Sequence, residues 1–180
     1  MLKKLAGNKK ALLLLVLFLQ ISILAGMVLD SYRIIASGEK VLLKIEPVDP
    51  RSLFQGDYVI LRYPFNDLDL GKVAHDLDLT RTYYQQKVYL VLEQKGEIWE
   101  PVFVTQDSKK VKDKTFLKAK VIFLSQGMPS TFLHLKLDIE TFFVPEGKGQ
   151  EIEKQIQEGV LYAQVSVYKG KARVTGLASK

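Results

Sequence analysis

Residues 11 to 29, ALLLLVLFLQISILAGMVL, run for 19 residues without a charged side chain. Gln20 and Ser22 are the only polar members. As a helix, a stretch of this length spans about 28 Å, close to the hydrocarbon thickness of a bilayer. A single segment exposed to lipid can satisfy its own backbone polar groups only as a helix. The leucine-rich, proline-free composition agrees with that. A soluble helix of this length normally carries a polar stripe, and this one has none. The expectation is one transmembrane anchor over residues 11–30, with the membrane as a partner contacted through 11–29.

The flanks orient it. Lys3, Lys4, Lys9 and Lys10 precede the run, whereas Asp30 and Arg33 follow it and cancel. Retention of positive charge on the cytoplasmic side predicts a cytoplasmic flank over 1–10, an extracytoplasmic domain over 34–180 and single-pass residence in the cell (inner) membrane. A cleaved secretory signal is the rival. Its apolar region is usually shorter, about 7–15 residues, and no small-x-small pair follows the run cleanly. Ala25-Gly26 lies inside it and Ala36-Ser37 well beyond.

Charge partitions along the same boundary. The 180-residue chain has a net charge of +6. Residues 1–33 hold five basic side chains and one acidic, a net of +4, which leaves 21 basic and 19 acidic beyond them, a net of +2. A nucleic-acid partner is not expected, because such domains concentrate basic charge on the folded face. With no cysteine in the chain, thiol catalysis, thiolate zinc sites, iron–sulfur clusters and a lipidated cysteine are all excluded. Two histidines, His75 and His134, are too few for a histidine-rich metal site.

Beyond residue 33 the apolar pattern changes to alternation, the signature of strands. Val41–Ile45 reads as a strand ending at Pro47. In Asp57–Tyr63, Tyr58, Ile60 and Arg62 share one face, and Val59, Leu61 and Tyr63 the other. Residues 66–82 read as a loop or short irregular elements. Three hairpins follow: Lys87–Gln94 with Glu97–Thr105 across Lys95-Gly96, Thr115–Leu124 with Thr131–Val144 across residues 126–129, and Val160–Tyr168 with Lys171–Leu177 across Lys169-Gly170. Ile152 and Ile156, four apart among charges, predict a short amphipathic helix over 149–158 closed by Gly159. The fold class expected is mainly β, an antiparallel sandwich or partly open barrel with that one helix, behind the anchor. The cluster Lys109, Lys110, Lys112, Lys114, Lys118 and Lys120 reads as a solvated turn and a charged strand edge protected against edge pairing. Attraction to anionic headgroups is the alternative.

The most distinctive local stretch is Asp49–Tyr63, DPRSLFQGDYVILRY. Pro50 fixes φ, the Ser52 hydroxyl can cap a turn, and Gly56-Asp57 supplies a bend before the strand. Gly56, Asp57, Tyr58, Leu61 and Tyr63 match every fixed position of the GDYxxLxY motif, so the chain resembles the membrane-anchored bacterial proteins named after it. Asp49, Pro50, Arg51, Ser52 and Leu53 before the motif add to the resemblance, as does Phe143-Val144-Pro145-Glu146-Gly147 after it. Together they cover most of residues 38–177. The resemblance implies an N-terminal anchor and an extracytoplasmic domain, with no activity attached. The motif and lead-in residues, together with Pro145, Glu146 and Gly147, are the candidate site, either structural or partner-binding. Asp57 is expected to accept backbone N–H bonds in its turn, and Arg51 to pair with Asp57 or with a glutamate of the short helix. Of Tyr58 and Tyr63, one should pack inward with its hydroxyl paired and the other reach the surface.

Ser52–Val59 is also similar, more weakly, to the stretch after the nucleophile of type I signal peptidases. In that alignment the nucleophile falls at Val48, which carries no hydroxyl, so the resemblance implies a borrowed scaffold at most and not its chemistry. Asp67, Asp69, Asp76 and Asp78 form two D-x-D pairs with His75 beside the second, but EF-hand spacing is absent. A solvated acidic loop is the expectation. His134, between Leu133 and Leu135, reads as a strand histidine and not as a ligand. Glu146 and Asp57 have no feature beyond motif membership to bring them together for acid–base work. No catalytic residue, metal or cofactor is expected. The residues favour a membrane-anchored, extracytoplasmic, non-enzymatic binding or accessory component, its partner another membrane or envelope protein. A hydrolase on a signal-peptidase-like scaffold, with a divergent or metal-assisted site, is the alternative.

Overall fold

A computed structural model of the protein describes residues 9–47, 58–81, 83–127, 130–145, 149–159 and 161–179. Helix α1, Lys9–Ser37, is 29 residues long, about 43 Å at the helical rise. Its most apolar 18-residue window is entirely unburied, as expected of a helix that meets lipid and not protein. The helix does not stop where the apolar run stops. It carries on past Leu29 to Ser37, and after the single residue Gly38 the chain enters strand β1, Glu39–Lys44.

That overrun is used for docking. Ile34 is fully buried. The Ser166 hydroxyl donates to the Ile34 carbonyl at 2.8 Å, and Lys40 Nζ donates to the Ile35 carbonyl at 2.6 Å. The last carbonyls of a helix have accepting capacity left over; the Ile34 carbonyl also takes the Gly38 N–H at 3.0 Å, and the domain adds the side-chain donors. One turn earlier, Lys171 Nζ reaches both carboxylate oxygens of Asp30, at 2.9 and 2.8 Å. Gly38 is needed at the junction: a Cβ there would collide with Ser166 Oγ and stand 2.5 Å from the Ile34 carbonyl and 3.0 Å from the Val167 nitrogen.

Three open sheets follow, and no closed barrel forms among the described residues. The first has the order β1-β10-β11, with β10 at Leu161–Tyr168 and β11 at Lys171–Ser179, all antiparallel. The second pairs β2, Tyr58–Ile60, with β9, Thr141–Phe143. The third contains β3 (Asp67–Asp69), β4 (Ala74–His75), β5 (Lys87–Lys95), β6 (Ile98–Thr105), β7 (Phe116–Gln126) and β8 (Thr131–Leu137). Its order is β3-β8-β7-β5-β6-β4, antiparallel except where β4 joins β6. Alternation sets the core. Val41 and Leu43, Leu90 and Leu92, Leu117, Ala119 and Val121, and Leu133 and Leu135 all point into one cluster. The short helix α2, Gly149–Gln157, buries Ile156 and packs Ile152 on the same cluster, as their spacing predicts.

The hairpins β5–β6 and β10–β11 form within a residue or two of their predicted bounds. Gly170 has φ +78° in the second, and a Cβ there would run into the Phe116 ring. Two expectations need correction. The predicted strand Thr131–Val144 is broken at residues 138–140, so β9 leaves β8 and pairs with β2. Glu140 causes the break: its carboxylate accepts from the Leu137 N–H at 2.8 Å, closing a turn. Residues 66–82, expected as a loop or short irregular elements, are more ordered than a loop: they contribute both edge strands of the large sheet, the three-residue β3 and the two-residue β4.

Strand β7 bulges between Val121 and Phe123, which reverses its alternation. Ile122 and Phe123 therefore both face solvent, 41% and 51% exposed.

Replacing Gly38 with valine should destabilise the junction by about 2 kcal/mol through overpacking. Thermal denaturation of the detergent-solubilised chain should show it, together with faster proteolytic cleavage between Ser37 and Glu39.

Candidate functional site

Of the candidate residues, Asp49, Pro50, Arg51, Ser52, Gly56, Asp57, Glu146 and Gly147 lie outside the described residues, as do the turn and the Arg51 pairing expected of them. Tyr58, Leu61, Tyr63 and Pro145 are described. Pro145 is exposed and follows the buried Val144.

The motif strand has two unlike faces. Val59, Leu61 and Tyr63 are buried, while Tyr58 and Ile60 are half-buried and Arg62 is exposed. The Tyr63 ring stacks on Phe65 at 5.3 Å, and its hydroxyl donates to the Ile139 carbonyl at 2.8 Å inside the core. Burial first, and then the Glu140 carboxylate, hold its phenol far above the ordinary tyrosine range. It therefore stays a neutral donor at every ordinary pH.

Asn66 ties this strand to the turn after β8. Its Oδ1 accepts from the Tyr63 N–H at 2.7 Å. Its Nδ2 donates to the Glu140 carboxylate at 2.6 Å and to the Leu135 carbonyl at 3.1 Å. The Leu61 N–H donates to the Glu140 carbonyl at 2.8 Å. Glu140 thus serves the turn, Asn66 and the motif strand together.

Outside the core, the same strand borders a cleft of about 320 Å³ lined by Ile60, Arg62, Asp67, Phe123, His134 and Glu140, among others. Arg62 forms an ion pair with Asp67. The other Asp67 oxygen lies 2.6 Å from His134 Nδ1, and His134 Nε2 lies 3.1 Å from Ser125 Oγ. An acceptor at Nδ1 assigns the ring proton to that nitrogen, leaving Nε2 to accept from the hydroxyl. Phe123 stacks on the imidazole at 3.8 Å between ring centres. Composition and spacing did not single out Asp67 or Ser125 as partners of His134. The three are brought together by β3, β7 and β8, and only pairing register could have found them.

Ordered this way, Asp67, His134 and Ser125 follow the connectivity of a hydrolytic triad. The cleft, however, opens on Asp67 and His134, and Ser125 lies outside its lining.

Apolar surface continues beyond the cleft. Phe143, 76% exposed, meets Tyr58 edge to face at 6.1 Å. Ile122 and Phe123 separate the cleft from a second hollow of about 290 Å³ that includes Tyr84, 65% exposed.

The acidic loop does not converge. Asp67 serves His134 and Arg62, Asp69 pairs with Lys72, and Asp78 caps Thr80 and pairs with Arg81. Asp76 accepts from Thr105 at 2.8 Å and from Lys110 at 2.6 Å. Burial alone would raise the Asp76 carboxyl, but those two hydrogen bonds and the lysine charge hold it below its usual range. No cluster of three potential metal ligands occurs among the described residues. His75 Nδ1 is buried with no hydrogen-bond partner there.

Removing the Tyr63 hydroxyl leaves the buried Ile139 carbonyl without its donor. Tyr63→Phe should cost about 1–2 kcal/mol in chemical denaturation, whereas Phe143→Ser, on the exposed side, should stay within about 0.5 kcal/mol.

No curated protein and no solved structure matches the chain, and the weaker likeness to type I signal peptidases draws no support from them. A family model described as GDYXXLXY protein matches residues 20–177, from mid-helix to the last strand. With its motif strand built into the core on one side and bordering the cleft on the other, the chain belongs to the GDYXXLXY family.

Proposed function

We propose that this is a single-pass inner-membrane protein, with residues 1–10 cytoplasmic, 11–30 spanning the bilayer and 34–180 extracytoplasmic, and that it serves as a non-enzymatic binding or accessory component of a membrane or envelope complex. The observation that carries this is the outward face of the motif strand. Ile60, Ile122 and Phe123 line the mostly apolar cleft together with the charged Arg62, Asp67 and Glu140, and Tyr58 and Phe143 pack on each other on the same strand pair, β2 and β9. Exposed apolar surface rimmed by charge is characteristic of a protein-contact face. The docked end of α1 supports a retained anchor over a cleaved signal, since Asp30, Ile34 and Ile35 all bond to the domain. It also supports a partner within the same membrane, because the contact face is held without a flexible linker.

A second reading, hydrolysis, is favoured by the Asp67–His134–Ser125 chain alone. One set of experiments separates the two. Photo-crosslinkers at positions 123 and 143 in intact membranes should give adducts with the same membrane or envelope protein, and Phe123→Asp should abolish them without changing the melting temperature. Absence of adducts from both positions would overturn the binding reading. Labelling of Ser125 by a fluorophosphonate, lost in Ser125→Ala, would establish the hydrolase instead. A reporter fused after Lys180 should be active only outside the cytoplasm.

A further inference from the structure

The apolar run ends at Leu29, and α1 continues to Ser37. A bilayer is about 30 Å thick across its hydrocarbon and about 40–45 Å with headgroups, which leaves about 5–8 Å of headgroup layer on each side. At the helical rise of 1.5 Å, residues 30 to about 34 cross that layer. This is the stretch to which the β10–β11 hairpin is bound. Ser166 meets the Ile34 carbonyl at 2.8 Å, the Tyr168 ring lies 5.8 Å from the Arg33 guanidinium, and Lys171 meets Asp30 at 2.8 Å. Moving along β10 to the turn and into β11 therefore follows α1 back toward the bilayer. The turn at Lys169-Gly170 is the hairpin's membrane-facing end.

Positive charge gathers there. Lys169 Nζ sits 5.4 Å over the Tyr168 ring. The Lys118 N–H donates to the Gly170 carbonyl at 3.0 Å, which brings the lysine-bearing start of β7 to the same level. Arg173 pairs in register with Ser166, the residue bonded to α1. On α1, the hairpin and the start of β7, Arg33, Lys118, Lys169, Lys171 and Arg173 accompany the carboxylate of Asp30, and the Lys171–Asp30 pair neutralises one of these five cations. Tyr32, 68% exposed, adds an aromatic ring at the depth where tyrosine favours the membrane interface. On β1, Glu39 lies opposite Val167 and Lys40 opposite Ser166, level with Arg173, and their charges cancel.

We propose that the tip of the β10–β11 hairpin, with Arg33 and Lys118, is a docking surface for the phosphates of anionic lipids in the leaflet from which the domain emerges. This rests on the reading of α1 as membrane-spanning, and it holds for either orientation of the helix. Each basic side chain near a charged bilayer adds about fivefold to the association. Since the hairpin is already bonded to α1, these contacts require no further ordering of a linker. Their effect is to fix the domain's tilt on the membrane, and with it the height of the motif face.

The chain has no cysteine, so one introduced thiol is a unique label in the full-length protein. Fluorophores at Lys169→Cys and, separately, Leu17→Cys are read in vesicles of phosphatidylcholine with and without phosphatidylglycerol, using nitroxide quenchers placed in the headgroup or deep in the acyl chains. The position-17 label should be quenched from the acyl chains in both lipids. The position-169 label should be quenched from the headgroups, severalfold more with phosphatidylglycerol, with the gain lost in high salt. Lys118→Gln with Arg173→Gln, which leaves the Lys171–Asp30 pair intact, should at least halve that gain. Equal quenching of position 169 in both lipids, or a gain indifferent to the two substitutions, overturns the proposal while a deep position 17 upholds the span. A shallow position 17 overturns the span and the docking together.

Discussion

The carbonyls of Ile34 and Ile35, at the end of α1, accept hydrogen bonds from side chains of the domain, Ile34 in addition to its bond from the Gly38 N–H. Ser166 on β10 and Lys40 on β1 supply them, Ile34 is buried beside them, and Gly38 allows the backbones to approach closely enough. Anchor and domain are consequently one continuous object. The β1-β10-β11 sheet is built on the helix end, and β1 and β11 run against β6 and β7 of the large sheet. The Lys118–Gly170 hydrogen bond joins the same hairpin to β7.

The motif strand performs two tasks because a strand has two faces. Its inward residues, Leu61 and Tyr63, are interior side chains, and the Tyr63 hydroxyl is spent on the Ile139 carbonyl. Its outward residues border a cleft whose polar wall is already internally paired, Arg62 with Asp67 and Asp67 with His134. The rings of Phe123, Phe143 and Tyr58 add exposed or half-buried apolar area on the outward side.

Much of this was legible along the chain. The anchor followed from an uninterrupted apolar run, β5–β6 and β10–β11 from alternation around Lys-Gly turns, α2 from Ile152 and Ile156, and the opposed fates of Tyr58 and Tyr63 from period two. The rest was not, for reasons that can be named. The break between β8 and β9 depends on the Glu140 side chain closing a turn, which alternation does not register. The outward turn of Phe123 depends on a bulge that reverses the period of β7. The Asp67–His134–Ser125 chain depends on which strands become neighbours, since Asp67 stands 67 residues from His134.

The sequence by itself determined a helix long and apolar enough to cross a membrane, a mainly β domain and membership of a motif family, because each of these is written in local periodicity or in a short contiguous pattern. Only the tertiary structure decided that the helix overruns its apolar run to seat on the β10–β11 hairpin, that the motif strand borders a cleft, and that dispersed lysines and arginines meet around the turn of that hairpin. Those outcomes rest on strand register and close backbone approach between distant segments, where the energy lies in contacts that no local pattern records.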